Sequence, residues 1–516
     1  MTAHSWSKDR AGKRIDVSIT GLKTKDVEIR DYVRDTDLSG LPKNVAYRVD
    51  GAHLYADILN LSDMLNVTTV EGETCHRRTL RFLNLHYRAV HRILQRCEAL
   101  HVDFHNQRLH SVVIKPYDSE KKRVHRAVAI GQLIIDVLSQ TGEDADHPAA
   151  KVRVGIDSGK ALAVSNGRRG HREPLFLGEP ANHAAKRSGG GTAAGIYLTN
   201  TARKVISLGE AANPDTTPLS AAEIKTSQDE AKLGVLSDDI VKEWKEDLKN
   251  NPIGTFEFSG HTPPFKNLDF ELLSAKNSRR QDAATVYADI DGFTAYVGRN
   301  IGTDDGARHV VRALHVLRSE LDAVLHTDFE GRKVRFIGDC VHGLLAEGTA
   351  QTTETQETIT NMTLCAAAMR SSFDLAIKKL KDDGTNAPLG VAVGFEYGPI
   401  TATRLGMKGT LIRCSVSRGI LAAEREQHRC AGTETAIGQR AYDAATDAVR
   451  SVFGTSRKRA GLDYETAVSE LTSKNDKTAK AAVAAATGLL KPAVAPASPF
   501  TFQNRPAGPA KKDGFA

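Results

Sequence analysis

The chain has 516 residues, 40% hydrophobic and 26% charged, the balance of a globular protein with room for two or more cores. A formal net charge of +7 suits a polyphosphate partner, but with 6% aromatic residues and no basic block interleaved with them, nucleic-acid binding is not expected. No apolar run is long enough for a membrane span, the start MTAHSWSKDRAGKR lacks a signal-peptide core, and the cysteines form no C-x-x-C pair, so the expectation is a cytoplasmic chain without disulfides or structural zinc.

Residues 1–40 read as a polar N-terminal arm with a short β-like piece over 15–19. A first domain, 41–275, opens with the strand pattern GAHLYADILNLSDML. Apolar residues at helical spacing follow (Leu80, Leu83, Val90, Ile93, Leu94), then a second strand pattern, VDFHNQRLHSVVI. KVRVGIDSGKALA reads as a strand ending in a turn at Gly159. Residues 210–252 are Pro-bounded, charged and helix-forming, which predicts a surface insertion, and TFEFSGHTPPF predicts the strand that closes this domain. A second domain, 280–505, precedes a flexible tail over 506–516, within a Pro- and Ala-rich end.

The two domains repeat one another. TVYADIDGFTAYV lies over the first strand pattern with Asp289 on Asp57, and VRFIGDCVHGLLA over the second with Asp339 on Gln107, both at an offset of 232 (289 − 57 and 339 − 107). LGVAVGFEYGPITA, with Gly398, continues the match to KVRVGIDSGKALA.

Two motifs in the second copy carry chemistry. In DIDGFT a strand bearing Asp289 enters the turn Asp291, Gly292, Phe293, Thr294, whose free N–H groups open a helix and form an anion site. In FIGDC a Gly-Asp hairpin turn sets Asp339 level with Asp289 on the neighbouring strand. Two carboxylates side by side repel unless a cation lies between them, which points to two Mg²⁺ or Mn²⁺ ions and a nucleoside triphosphate.

DIDGFT and FIGDC, in that order and fifty residues apart, resemble the metal-binding half of a class III nucleotidyl cyclase domain. The resemblance implies an α+β fold, two ferredoxin-like cyclase domains in tandem, paired within the chain as a pseudo-heterodimer or exchanged in a homodimer. It implies metal ligands Asp289, Ile290 and Asp339, and a phosphate cradle made by Asp291, Gly292, Phe293 and Thr294 with Lys408. In the first copy GEPANHAAK is similar to the family's transition-state helix, with Asn182 on its Asn and Lys186 on its Arg, while Ile420 and Glu424 are assigned to those places in the second copy. One competent site per chain is therefore implied, because the first copy has lost a metal carboxylate (Gln107) and the second its transition-state Asn.

The family's base-reading positions fall on Asp103 and Leu175, a pair that matches neither adenine nor guanine readers. An ionised Asp103 accepts hydrogen bonds only, so it suits cytosine, uracil or guanine rather than unprotonated adenine. These atypical readers also resemble those of pyrimidine cyclases of antiphage signalling systems, implying UTP or CTP as substrate, a cyclic nucleotide as product and a separate effector. Adenylate cyclase activity, a nucleotide-sensing pseudoenzyme and a polymerase-like palm are the alternatives.

Overall fold

The computed structural model describes residues 4–166, 174–407 and 409–486. Lys408, the 506–516 tail and the end of the second domain lie outside the described residues. Among the described residues no helix is long and apolar enough to cross a membrane.

Two sheets account for the strands. The first contains β1 (Glu28–Asp31), β2 (Val45–Ile58), β3 (Leu100–His105), β4 (Arg108–Val113), β5 (Val152–Ser165), β6 (Pro174–Leu177) and β7 (Gly195–Leu198). The second contains β8 (Phe258–Ser259), β9 (Ser278–Asp291), β10 (Arg332–Ile337), β11 (Cys340–Leu345), β12 (Gly390–Leu405), β13 (Ile412–Val416), β14 (Glu434–Ile437) and β15 (Lys458–Ala460). The central strand orders are β3-β4-β2-β5 and β10-β11-β9-β12, all antiparallel pairs, with β7 and β14 added in parallel to β5 and β12. In each half a short and a long helix join the first strand to the hairpin and one further helix leads to the next long strand, giving β-α-β-β-α-β units.

The duplication holds element by element. β3 and β10 begin 232 residues apart (332 − 100), and after an insertion the offset becomes 239, as between the helices Glu179–Gly189 and Arg418–His428 (418 − 179). Strand register agrees, since Asp57 pairs with Arg153 and Asp289 with Ala392 (392 − 153 = 239). Asn182 and Lys186 therefore correspond to Leu421 and Arg425, not to Ile420 and Glu424. The helix N-caps, Gly178 and Ser417, fix that register, and a motif aligned without them slips by one residue.

Three expectations are corrected. The 15–19 stretch is helical, part of Lys8–Thr24, because Ala11, Ile15 and Leu22 recur at helical spacing and are buried in the core of the second half. Arg14 on this helix meets Glu320 (2.7 Å) and Asp328 (2.8 Å), and Trp6 Nε1 donates to Ser372 (2.6 Å), so the arm is integral to that half. Phe258–Ser259, read as closing the first domain, pairs with β9 of the second sheet instead. The 210–252 insertion does fold into helices, Ala221–Ala231 and Ser237–Asn250, but it is more than a surface addition. Trp244 is buried, and its Nε1 donates to the Leu85 carbonyl at 3.0 Å.

The halves interlock. Leu162, Val164, Leu175 and Leu177 of β5 and β6 pack into the core of the second half, and Leu405, Ile412, Cys414 and Val416 around the β12–β13 hairpin pack into that of the first. Arg418 adds a polar clamp. Its guanidinium donates to the carbonyls of Leu65 (2.8 Å) and Thr69 (3.0 Å), and its backbone N–H to Glu71 (2.6 Å). Arg418→Ala, which strands several carbonyls at this seam, is expected to lower stability by about 2 kcal/mol, read as a shifted urea midpoint.

Candidate active site

Gly292, the N-cap of the helix Phe293–Asn300, has φ +79°, a conformation a residue without Cβ takes without strain. This turn ends β9 just after Asp289. Across the sheet, Gly338 and Asp339 form the two-residue turn between Ile337 and Cys340, with Gly338 at φ +59°. Because Ala288 pairs with Val341, the turn carries Asp339 just past the level of Asp289. Both carboxyls are shifted upward. Burial, then the Asp291 charge, pushes Asp289 up to about 6, and burial, then Asp289, pushes Asp339 well above the usual range.

The neighbouring site residues divide by what their side chains do. Ile290 is buried, leaving its backbone carbonyl as the group it can offer. Asp291 accepts the Gly432 N–H at 2.8 Å, so its carboxylate is tied to its own half and only its backbone serves the turn. Phe293 packs inward, and Thr294 Oγ1 accepts from Asn182 Nδ2 at 2.9 Å, a bond between the halves.

That bond marks a cavity of about 80 Å³ at the seam, lined by Asp103, Leu175 and Asn182 from the first half and Phe293 and Asp339 from the second. Five of the sequence-assigned residues thus share one space. Asp103 is not a free carboxylate, however: its Oδ1 accepts from Arg335, which also donates to the Phe104 carbonyl. Lys186 is exposed one helical turn beyond Asn182 and is not among the lining residues. The cavity floor holds residues that sequence reasoning missed. Tyr55 stacks on His110 with ring centres 4.1 Å apart, and His110 Nε2 meets His53 Nδ1 at 3.1 Å. Burial keeps both imidazoles neutral by lowering their pKa, that of His53 to about 3.

At the equivalent place in the other copy, Asp57 pairs with Arg108 at 3.0 Å, and Cys340 is the residue that matches Arg108 (108 + 232). A fixed guanidinium thus pairs with the lone acid there, and Leu421 stands where the first half has Asn182. This place thus differs from the Asp289–Asp339 side at Gln107, Arg108 and Leu421, while Arg425 stands where the first half has Lys186 and Glu424 does not.

Comparison with known proteins shows the family. Residues 275–442 match the family described as the adenylate and guanylate cyclase catalytic domain. Over 486 residues the chain is 56% identical to a protein named uridylate cyclase from Pseudomonas aeruginosa, covering 93% of each. This chain belongs to the class III nucleotide cyclase family. A protein named uridylate cyclase from a Rhizobium species is 38% identical over 432 residues, 80% of this cyclase and 82% of that one. A crystal structure described as a class III adenylyl cyclase-like ATP-binding protein from Pseudomonas aeruginosa superposes with a TM-score of 0.89 at 56% identity, covering 91% of the cyclase and 100% of that chain. The cyclase is a nucleotide-cyclising enzyme, and a nucleoside triphosphate is the substrate that fits such a domain.

Proposed function

We infer that the cyclase converts UTP to 3′,5′-cyclic UMP and pyrophosphate at one site, its two halves acting as a pseudo-heterodimer within the chain. The observation that carries this is the meeting of Asp339 and Asn182, from opposite halves, in one cavity, with the Asn182–Thr294 bond joining the halves there. The names of the two curated relatives supply the base.

The residues present fit divalent cations. Asp289 and Asp339 are both pushed above the usual carboxylate range, by burial first and then by a neighbouring acid (Asp291 for Asp289, Asp289 for Asp339), the mark of acids short of positive charge. A Mg²⁺-type site with one or two carboxylates, completed by phosphates and water, needs no more. Asp289, Asp339 and the Ile290 carbonyl would hold the ions. When bound, two Mg²⁺ or Mn²⁺ ions lower the pKa of the ribose 3′-hydroxyl and offset phosphate charge.

The remaining chemistry is positioning. The ribose 3′-hydroxyl gives up its proton to solvent as its oxygen attacks the α-phosphorus in line, the bond from that phosphorus to the bridging oxygen breaks, and pyrophosphate leaves. Backbone N–H groups of Gly292, Phe293 and Thr294 would receive phosphate oxygens, a role to which the family resemblance adds Lys408. Asn182 would exchange Thr294 for the ribose. Lys186, four residues on and so on the same helical face, would approach the α-phosphate as a point charge. The product would act on a separate effector in the cytoplasm, consistent with an antiphage signalling role.

Adenine is the second reading, favoured by the description of the superposed Pseudomonas aeruginosa structure as an ATP-binding protein. Asp103 opposes it, because a carboxylate cannot donate to adenine N1. Full-length protein given equimolar ATP, GTP, CTP and UTP with Mn²⁺ is expected to make cyclic UMP in at least roughly tenfold excess, resolved by mass. Dominant cyclic AMP would replace the uridylate reading, and no cyclic product at all would remove it.

A further inference from the structure

Asn166 follows β5, is 9% exposed, and lines the same cavity as Asp103 and Asn182. It is held from the other half. Arg318 Nη2 donates to both its backbone carbonyl and its side-chain Oδ1, each at 3.0 Å. A guanidinium has donors only, so this pair settles which end of the amide is oxygen. The nitrogen, Nδ2, is the end left for the cavity.

Arg318 itself has little freedom. It is 2% exposed and lies over the Phe336 ring at 3.7 Å. Its Nε and Nη1 are buried without a hydrogen-bond partner among the described residues. A strut serving stability alone would be poorly built this way, since unpaired buried donors are costly and an apolar side chain would pack as well. Burying a charge to hold one amide in one orientation makes sense where that orientation selects something.

We propose that Asn166, oriented by Arg318, donates to the O4 carbonyl of uracil and so selects UTP over CTP. The inference rests on the uridylate reading and adds the means of selection. Uracil presents N3–H beside O4, a donor next to an acceptor. The cavity offers the complement, an acceptor in the Asp103 carboxylate and a donor in Asn166 Nδ2. Cytosine reverses both positions, placing its N3 lone pair against the carboxylate and its N4 amine against the amide donor. Arg318 is a positioning residue in this scheme, acting only through Asn166.

The test is competition between equimolar UTP and CTP with Mn²⁺, using full-length wild type, Asn166→Asp and Asn166→Ala, with products resolved by mass. Asn166→Asp keeps an acceptor for Arg318 but turns a donor into an acceptor, so the cyclic UMP to cyclic CMP ratio is expected to fall about tenfold or more. Asn166→Ala, which removes the donor without adding charge, is expected to shift the ratio the same way by less, and it carries the test should the Asp variant fail to fold. For a folded variant without turnover, UTP and CTP binding in Ca²⁺ gives the same ratio. Equal loss of both activities, or of both affinities, would make Asn166 a structural residue and overturn the inference. A wild type that makes no cyclic UMP would instead overturn the uridylate reading.

Discussion

Asp339→Asn is expected to reduce cyclic nucleotide formation by about 10³-fold or more, roughly 4 kcal/mol of transition-state stabilisation, without unfolding the protein. An amide at that hairpin tip keeps the size of the side chain but cannot share divalent cations with Asp289. The loss should appear in kcat, because the Phe293–Asn300 helix N-terminus and the cavity wall still hold nucleotide. Stability should move the other way in protein freed of metal with EDTA. Burial and a like charge hold Asp289 up at about 6, against about 4 in an unfolded chain. The folded state therefore keeps its proton where the unfolded state has lost it. In the metal-free protein this group's contribution to stability is then greatest below pH ~4, falls as pH rises toward ~6, and stays lower above that. Asp289→Asn removes this cost, so in EDTA at pH 7 it is expected to gain on the order of 2 kcal/mol, a gain that vanishes near pH 4. A thermal unfolding series across that pH range, run beside a rate assay in Mn²⁺, checks both signs together.

Asn182→Ala is expected to cost about 10²-fold to 10³-fold in kcat with little change in KM, the usual effect of removing one donor aimed at a transition state. Stability should fall by only about 1 kcal/mol, because one half-buried hydrogen bond, to Thr294, is lost. The pseudo-symmetric change Leu421→Asn is expected to create no second site. Gln107 is no carboxylate, and Arg108 already neutralises Asp57 at 3.0 Å. Steady-state rates for the two variants, measured side by side, separate a composite site from two independent ones.

Much of this is legible in the sequence where one local pattern decides the outcome. DIDGFT and FIGDC each pair a strand with a glycine turn, and turn geometry alone sets Asp289 and Asp339 side by side. The 232-residue repeat is also plain, because β3 and β4 match β10 and β11 without a gap. Legibility ends where tertiary packing overrides local preference. The 15–19 stretch is β-branched enough to suggest a strand, yet burial of Ala11, Ile15 and Leu22 makes it a helix. The slip at Ile420 and Glu424 comes from counting across an insertion, where only the N-caps reveal the true register.

Partners across the seam lie beyond any single-sequence signal. Nothing in VDFH announces that Asp103 will be held by Arg335, or that Asn166 will meet Arg318 from 152 residues away. One clue exists for Arg318. It shares the apolar face of its helix with Leu314, Leu317 and Leu321, and an arginine on such a face is either paired or in use.

On this reading a single site forms within one chain, from carboxylates of the second half and the amide of the first. Mixing Asn182→Ala and Asp339→Asn chains in equal amounts and measuring cyclic UMP from UTP separates this from sites shared between chains. The mixture is expected to show no more activity than the sum of the two variants alone. Recovery toward a quarter of the wild-type rate would mean that sites form between chains, and a single variant that kept half the wild-type rate would mean that each half has a site of its own.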